Sequence, residues 1–132
     1  MIFFAQPKIL AVGLNNKEKA LRGLPIRLVS CESGAEAAEF LKEENVSSII
    51  CVWDLDDMPD GQFVRRLRVV KPDIKTIVFV RSQDTLGEIK ARSIGASVVL
   101  TDKTSDQMFR RAVIEANKLP GTDRYERITS RK

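Results

Sequence analysis

Four carboxylates fall within seven positions, Asp54, Asp56, Asp57 and Asp60, directly after the apolar run Ile49–Trp53 and broken up by Met58-Pro59 and Gly61. Carboxylates in such a place have four uses: accepting a phosphoryl group, holding a divalent cation, acting as a general base, or capping the start of a helix. The run before them is rich in β-formers and too short for an independent helix, so it reads as a strand buried on both faces. Met-Pro and Asp-Gly are turn chemistry. Open α/β sheets carry their ligand and signalling sites at this carboxyl edge. Alternation along an extended segment turns Asp57 away from Asp54 and Asp56, which argues against a hydrolytic metal centre built from all three.

The rest of the composition narrows the chemistry. The chain contains no His, which removes His-based zinc sites, His general bases and serine-protease-like triads. Its two cysteines, Cys31 and Cys51, sit in apolar strand-like runs and read as buried free thiols. At 132 residues the chain fits one domain with a normal core, and 43% apolar with 30% charged residues is a globular composition. Met1–Ala5 lacks the basic flank and the length of a signal segment, so the expectation is a cytoplasmic protein with no membrane association. The net charge of +4 is spread widely, with local concentrations at Arg65, Arg66 and Arg68 and in the tail at Arg124, Arg127, Arg131 and Lys132. No aromatic platform is interleaved with these cations, so they read as solvated faces rather than a nucleic-acid footprint.

Five strands and five helices alternate around the acidic stretch. Strands are expected over 8–12, 26–31, 49–54, 74–80 and 97–100. Helices are expected over 14–23, 35–44, 62–70, 85–94 and from a Ser105 or Thr104 cap to about 118. Ala35, Ala38, Phe40 and Leu41 form the expected inner stripe of the second helix. Near-uniform apolar strands with short connections require a parallel sheet covered on both faces. Right-handed crossovers leave the doubly wound, flavodoxin-like α/β order 2-1-3-4-5, which keeps Cys31 and Cys51 on non-adjacent strands, too far apart to bridge. Residues 1–120 make the domain; residues 121–132 carry no apolar periodicity and are expected to form a flexible basic tail.

Strand three with its acidic-Met-Pro-Asp-Gly turn, the Arg-rich helix, the Ile94–Leu100 segment I-G-A-S-V-V-L and Lys103 after strand five come in the order of a known family. From about Lys8 to Lys118 the chain resembles the CheY-like receiver domain of bacterial response regulators in two-component systems. The resemblance implies that Asp54, at the end of strand three, holds the phospho-acceptor position. Lys103 then resembles the lysine that contacts the phosphoryl oxygens, displaced by one residue because Asp102 separates it from Thr101.

Several positions depart from the family. Where receivers carry an acidic pair after strand one to hold Mg²⁺, this chain reads Gly13-Leu14-Asn15, with no carboxylate before Glu18. Mg²⁺ requires near-octahedral oxygen ligands, so Asp54 and Asp56 are left as a weak site at most. Where the family places a small hydroxyl residue after strand four stands Arg81, with Ser82 one step later, and the guanidinium is in reach of Asp54 or Asp57. Strand five lacks the aromatic switch residue. The reading is a non-enzymatic pseudo-receiver in phosphorelay signal transduction, without a cofactor and with weak or absent phosphorylation. Its partners would be a sensor kinase or a downstream signalling protein, or a second copy in a homodimer. They would dock on the face of the fourth helix, strand five and the fifth helix, Thr85 to Lys118. Two alternatives are a flavodoxin-like nucleotide-binding module, disfavoured because Gly13–Lys17 lacks a phosphate-cradling run, and nucleic-acid binding through the basic tail.

Overall fold

The computed structural model describes residues 6–119. Both Met1–Ala5 and the 121–132 tail lie outside them. Five parallel strands form one sheet in the order β2-β1-β3-β4-β5. They are β1 (Lys8–Val12), β2 (Arg27–Cys31), β3 (Ser48–Val52), β4 (Lys75–Val80) and β5 (Val98–Thr101). A 3-10 helix (Asn15–Leu21) follows β1, and four α-helices follow: α1 (Gly34–Glu43), α2 (Gln62–Val70), α3 (Thr85–Ser93) and α4 (Asp106–Asn117). The expected strand order and the five helices are present. With Val12 opposite both Cys31 and Cys51, β1 separates the two cysteines, and both are buried free thiols.

The sheet divides the core in two because successive strand side chains point to opposite faces. Leu10, Val12, Ile49, Cys51, Trp53 and Val78 face α1, α2 and α3. Ile9, Ala11, Ile50, Ile77 and Phe79 face the 3-10 helix and α4. The helices begin where the sequence supplies caps: Ser33, Asp84 and Ser105 each accept from a backbone N–H of the first turn.

Three local expectations are corrected. The segment after β1 is a 3-10 helix, entered through left-handed Gly13 and Asn15 (φ 73° and 54°). The buried side of α1 is Gly34 and Ala37, with Phe40 and Leu41 partly covered, whereas Ala35 and Ala38 face outward. Finally, β3 stops at Val52 rather than at Asp54. Trp53 makes one further bond, N–H to the Phe79 carbonyl at 2.8 Å, before the chain turns.

Candidate functional site

The turn after β3 is closed by its own groups. The Gly61 N–H donates to the Trp53 carbonyl (2.9 Å) and the Met58 N–H to the Leu55 carbonyl (3.1 Å). The Asp60 N–H donates to Asp54 Oδ1 at 2.6 Å. Both Asp60 and Gly61 adopt left-handed backbone (φ 54° and 72°). At Gly61 the missing side chain matters, because a Cβ would overlap the six-membered ring of Trp53. Trp53 is buried beneath the turn and carries the Arg65 guanidinium 5.9 Å from its ring centroid.

The other oxygen of Asp54 meets Arg81, the first residue after β4: Arg81 Nη2 lies 3.2 Å from Oδ2. Both Asp54 oxygens are thus engaged, one by a backbone N–H and one by a guanidinium. Beside them lies a cavity of about 200 Å³ lined by Lys17, Trp53, Asp54, Phe79, Arg81 and Asp102. Lys17 reaches in from the 3-10 helix with Nζ 5.5 Å from the Phe79 ring centroid, a cation-π placement. The cavity is a mixed site, two cations and two carboxylates.

The other residues singled out in the sequence go elsewhere. Asp57 turns to α1, where Oδ1 and Oδ2 accept from the Gly34 and Ala35 N–H groups (3.0 and 2.9 Å). Those bonds hold its carboxyl below the usual carboxylate range. Asp56 is exposed and makes no ion pair among the described residues. Asp60 faces the cations Lys90 and Arg65, at 3.4 and 3.6 Å. Ser82 is turned to Asp102, whose Oδ1 accepts the Ser82 N–H at 2.6 Å, and that bond is the main reason the Asp102 carboxyl is held low. Lys103 donates its backbone N–H to Thr101 Oγ1, and its side chain does not line the cavity.

The structure therefore joins Asp54 to Arg81 and leaves Asp56, Asp57, Ser82 and Lys103 outside that contact. Lys17, Phe79 and Asp102 line the site without having been singled out as site residues. The signal for Asp102 was its insertion between Thr101 and Lys103, and that for Lys17 its place one turn beyond Gly13.

The β1 side of the site is closed by packing. A Cβ on Gly13 would lie 2.7 Å from Leu55 Cδ2, and Leu14 is buried. Glu18 is held by the Ser30 hydroxyl at 2.6 and 2.7 Å. Among the described residues no three His, Cys, Asp or Glu side chains group closely enough to hold a metal ion, and no helix is long and apolar enough to cross a membrane.

The element order, strand order and position of the acidic turn define a CheY-like, flavodoxin-like fold, that of response-regulator receiver domains. Solved structures carry the same likeness. The signal receiver domain of an HD domain-containing protein from Pseudomonas fluorescens superposes with a TM-score of 0.78 at 21% identity, over 95% of this chain and 96% of that one. A response regulator receiver domain protein from Clostridium thermocellum gives 0.75 at 18% identity, over 85% and 94%. A chemotaxis response regulator of Vibrio cholerae gives 0.72 at 14% identity, over 84% and 98%. No family model and no curated protein sequence matches the chain.

Proposed function

We propose that this chain is a receiver-like signalling domain of a two-component pathway that works by protein contact rather than by a phosphorylation cycle, and that it is not an enzyme. The observation that carries the reading is the double engagement of Asp54, by the Asp60 N–H at 2.6 Å and by Arg81 at 3.2 Å. A carboxylate that is to accept a phosphoryl group needs a free oxygen aimed at the donor. Transfer also leans on a divalent cation to neutralise developing charge.

The residues around Asp54 do not fit Mg²⁺. Mg²⁺ takes oxygen ligands in near-octahedral geometry. Here Leu55 packs where a side chain at Gly13 would stand, Lys17 and Arg81 bring two cations against the cavity's two carboxylates, and of those carboxylates Asp54 is engaged by Arg81 and Asp102 by the Ser82 N–H. An exposed pair such as Arg81–Asp54 stabilises by about 0–1 kcal/mol, so Arg81 competes with an incoming donor for the acceptor oxygen rather than locking a conformation. Partner contact is assigned to the face of α3, β5 and α4, where Leu86, Ile89 and Met108 are more than half exposed.

Incubation of the protein with acetyl phosphate and Mg²⁺, followed by intact-mass analysis, tests this. The expected result is no addition to the wild-type chain. Stoichiometric, base-labile addition at Asp54 would sink the phosphorylation-independent reading.

A further inference from the structure

A second surface lies between α1 and α2. Leu41 of α1, Met58 of the acidic turn and Phe63, Leu67 and Val70 of α2 floor an apolar groove of about 270 Å³. Its rim is cationic: Lys42, Arg66 and Lys71 stand around it, and no acidic residue lines it. Lys42 is shared with Glu39 at 2.9 Å, whereas Arg66 and Lys71 have no ion-pair partner among the described residues. From Gln62 to Lys71 the chain carries four cations, Arg65, Arg66, Arg68 and Lys71, and no acid.

The apolar surface extends beyond the groove. Val70 is 73% exposed, and Val69, beside Arg66 at helical spacing, is 82% exposed. A volume below the roughly 300–1,000 Å³ of small-molecule sites, open along one side and continued by exposed valines, suits side-chain anchors of a protein better than an enclosed ligand. From Phe63 to Val70 the floor runs about 10 Å along α2, the length of about two helical turns. Such a stretch takes apolar anchors at i, i+3, i+4 and i+7. The unpaired rim charges select acids beside those anchors and repel the basic tail of this chain.

We infer that the α1–α2 groove docks an acidic amphipathic helix of a partner protein, on a surface separate from the α3–β5–α4 face and independent of Asp54. The probe is a labelled synthetic peptide of about four helical turns with Leu on one face and Glu on the other, titrated with the full chain and read by fluorescence anisotropy. A peptide with Lys in place of Glu is the control.

Saturable binding of the Glu peptide is expected, with at least a tenfold loss of affinity for Arg66→Glu/Lys71→Glu and for Val70→Asp. The Lys peptide should not bind. These positions are at the surface, so unchanged circular dichroism and melting temperature will separate lost docking from misfolding. Binding indifferent to all three substitutions would overturn the inference. So would a concentration-dependent dimer abolished by Val70→Asp, which makes a second copy the occupant. Peptide binding that appears only after deletion of residues 2–5 would assign the groove to the chain's own N-terminus. DNA retention lost in Arg66→Glu/Lys71→Glu, without peptide binding, would also reject it.

Discussion

Replacing Gly61 with alanine should destabilise the protein far more than the same change at Gly23, and the difference measures how tightly Trp53 holds the acidic turn. Both glycines have positive φ, 72° and 85°. An L-residue in left-handed backbone costs about 1–2 kcal/mol. At Gly23 nothing lies within 4 Å of an added Cβ, so the backbone cost stands alone. At Gly61 the Cβ also overlaps three ring carbons of Trp53, a rigid side chain that is 1% exposed. Overpacking of that kind adds about 1–3 kcal/mol. The expected losses are therefore about 1–2 kcal/mol for Gly23→Ala and about 2–5 kcal/mol for Gly61→Ala. Urea unfolding followed by the fluorescence of Trp53, the single tryptophan, reads both variants. Equal losses within about 0.5 kcal/mol, an ordinary error for independent sites, would refute the claim that the ring fixes the turn.

Further outcomes follow from the packing and the titrating groups. Phe109→Ala should cost about 3–5 kcal/mol in chemical unfolding, because the ring is buried and meets Phe79 edge-on at 4.9 Å; a loss under about 1 kcal/mol contradicts that packing. The Asp57 carboxyl is held low in the folded chain, so its contribution is present above the ordinary carboxylate value of about 3.9 and disappears as pH falls through the depressed value. Asp57→Asn should lower the melting temperature at pH 7 and flatten its decline below about pH 4, and an unchanged acid slope would refute the α1 bonds as its cause. Burial pushes the Cys51 thiol up to about 12. Its alkylation at pH 8 should track global unfolding, and fast labelling of the native protein would show that β3 is open.

Much of the fold was legible because most strands are almost unbroken apolar runs and three of the five helices start on a side-chain cap. Ser33 and Ser105 were readable as caps, and Gly95 as a stop, from local chemistry alone. Less legible was what tertiary contact decides. The inner stripe of α1 shifted from Ala35 and Ala38 to Gly34 and Ala37, since alanines on either side of a short helix carry too little hydrophobic contrast to fix its rotation. At the site, Asp54 and Arg81 were placed by strand register, which apolar runs determine well. Lys17 and Asp102 were not, since their directions depend on a 3-10 turn and on a single backbone bond to Ser82. Asp57 turns away from Asp54, but through the bends that follow Val52 rather than through strand alternation, because β3 has already ended, and its role in holding α1 comes from a pairing 23 residues apart in sequence.

That role gives the acidic turn a mechanical meaning. Asp54 is moored to the residue after β4, Asp57 to the start of α1, and Asp60 to cations on α2 and α3. Seven residues therefore touch four separate elements, so a substitution within the turn is felt at β4, α1, α2 and α3 together. The segment behaves less as a loop than as the knot that keeps one layer of the domain in tune.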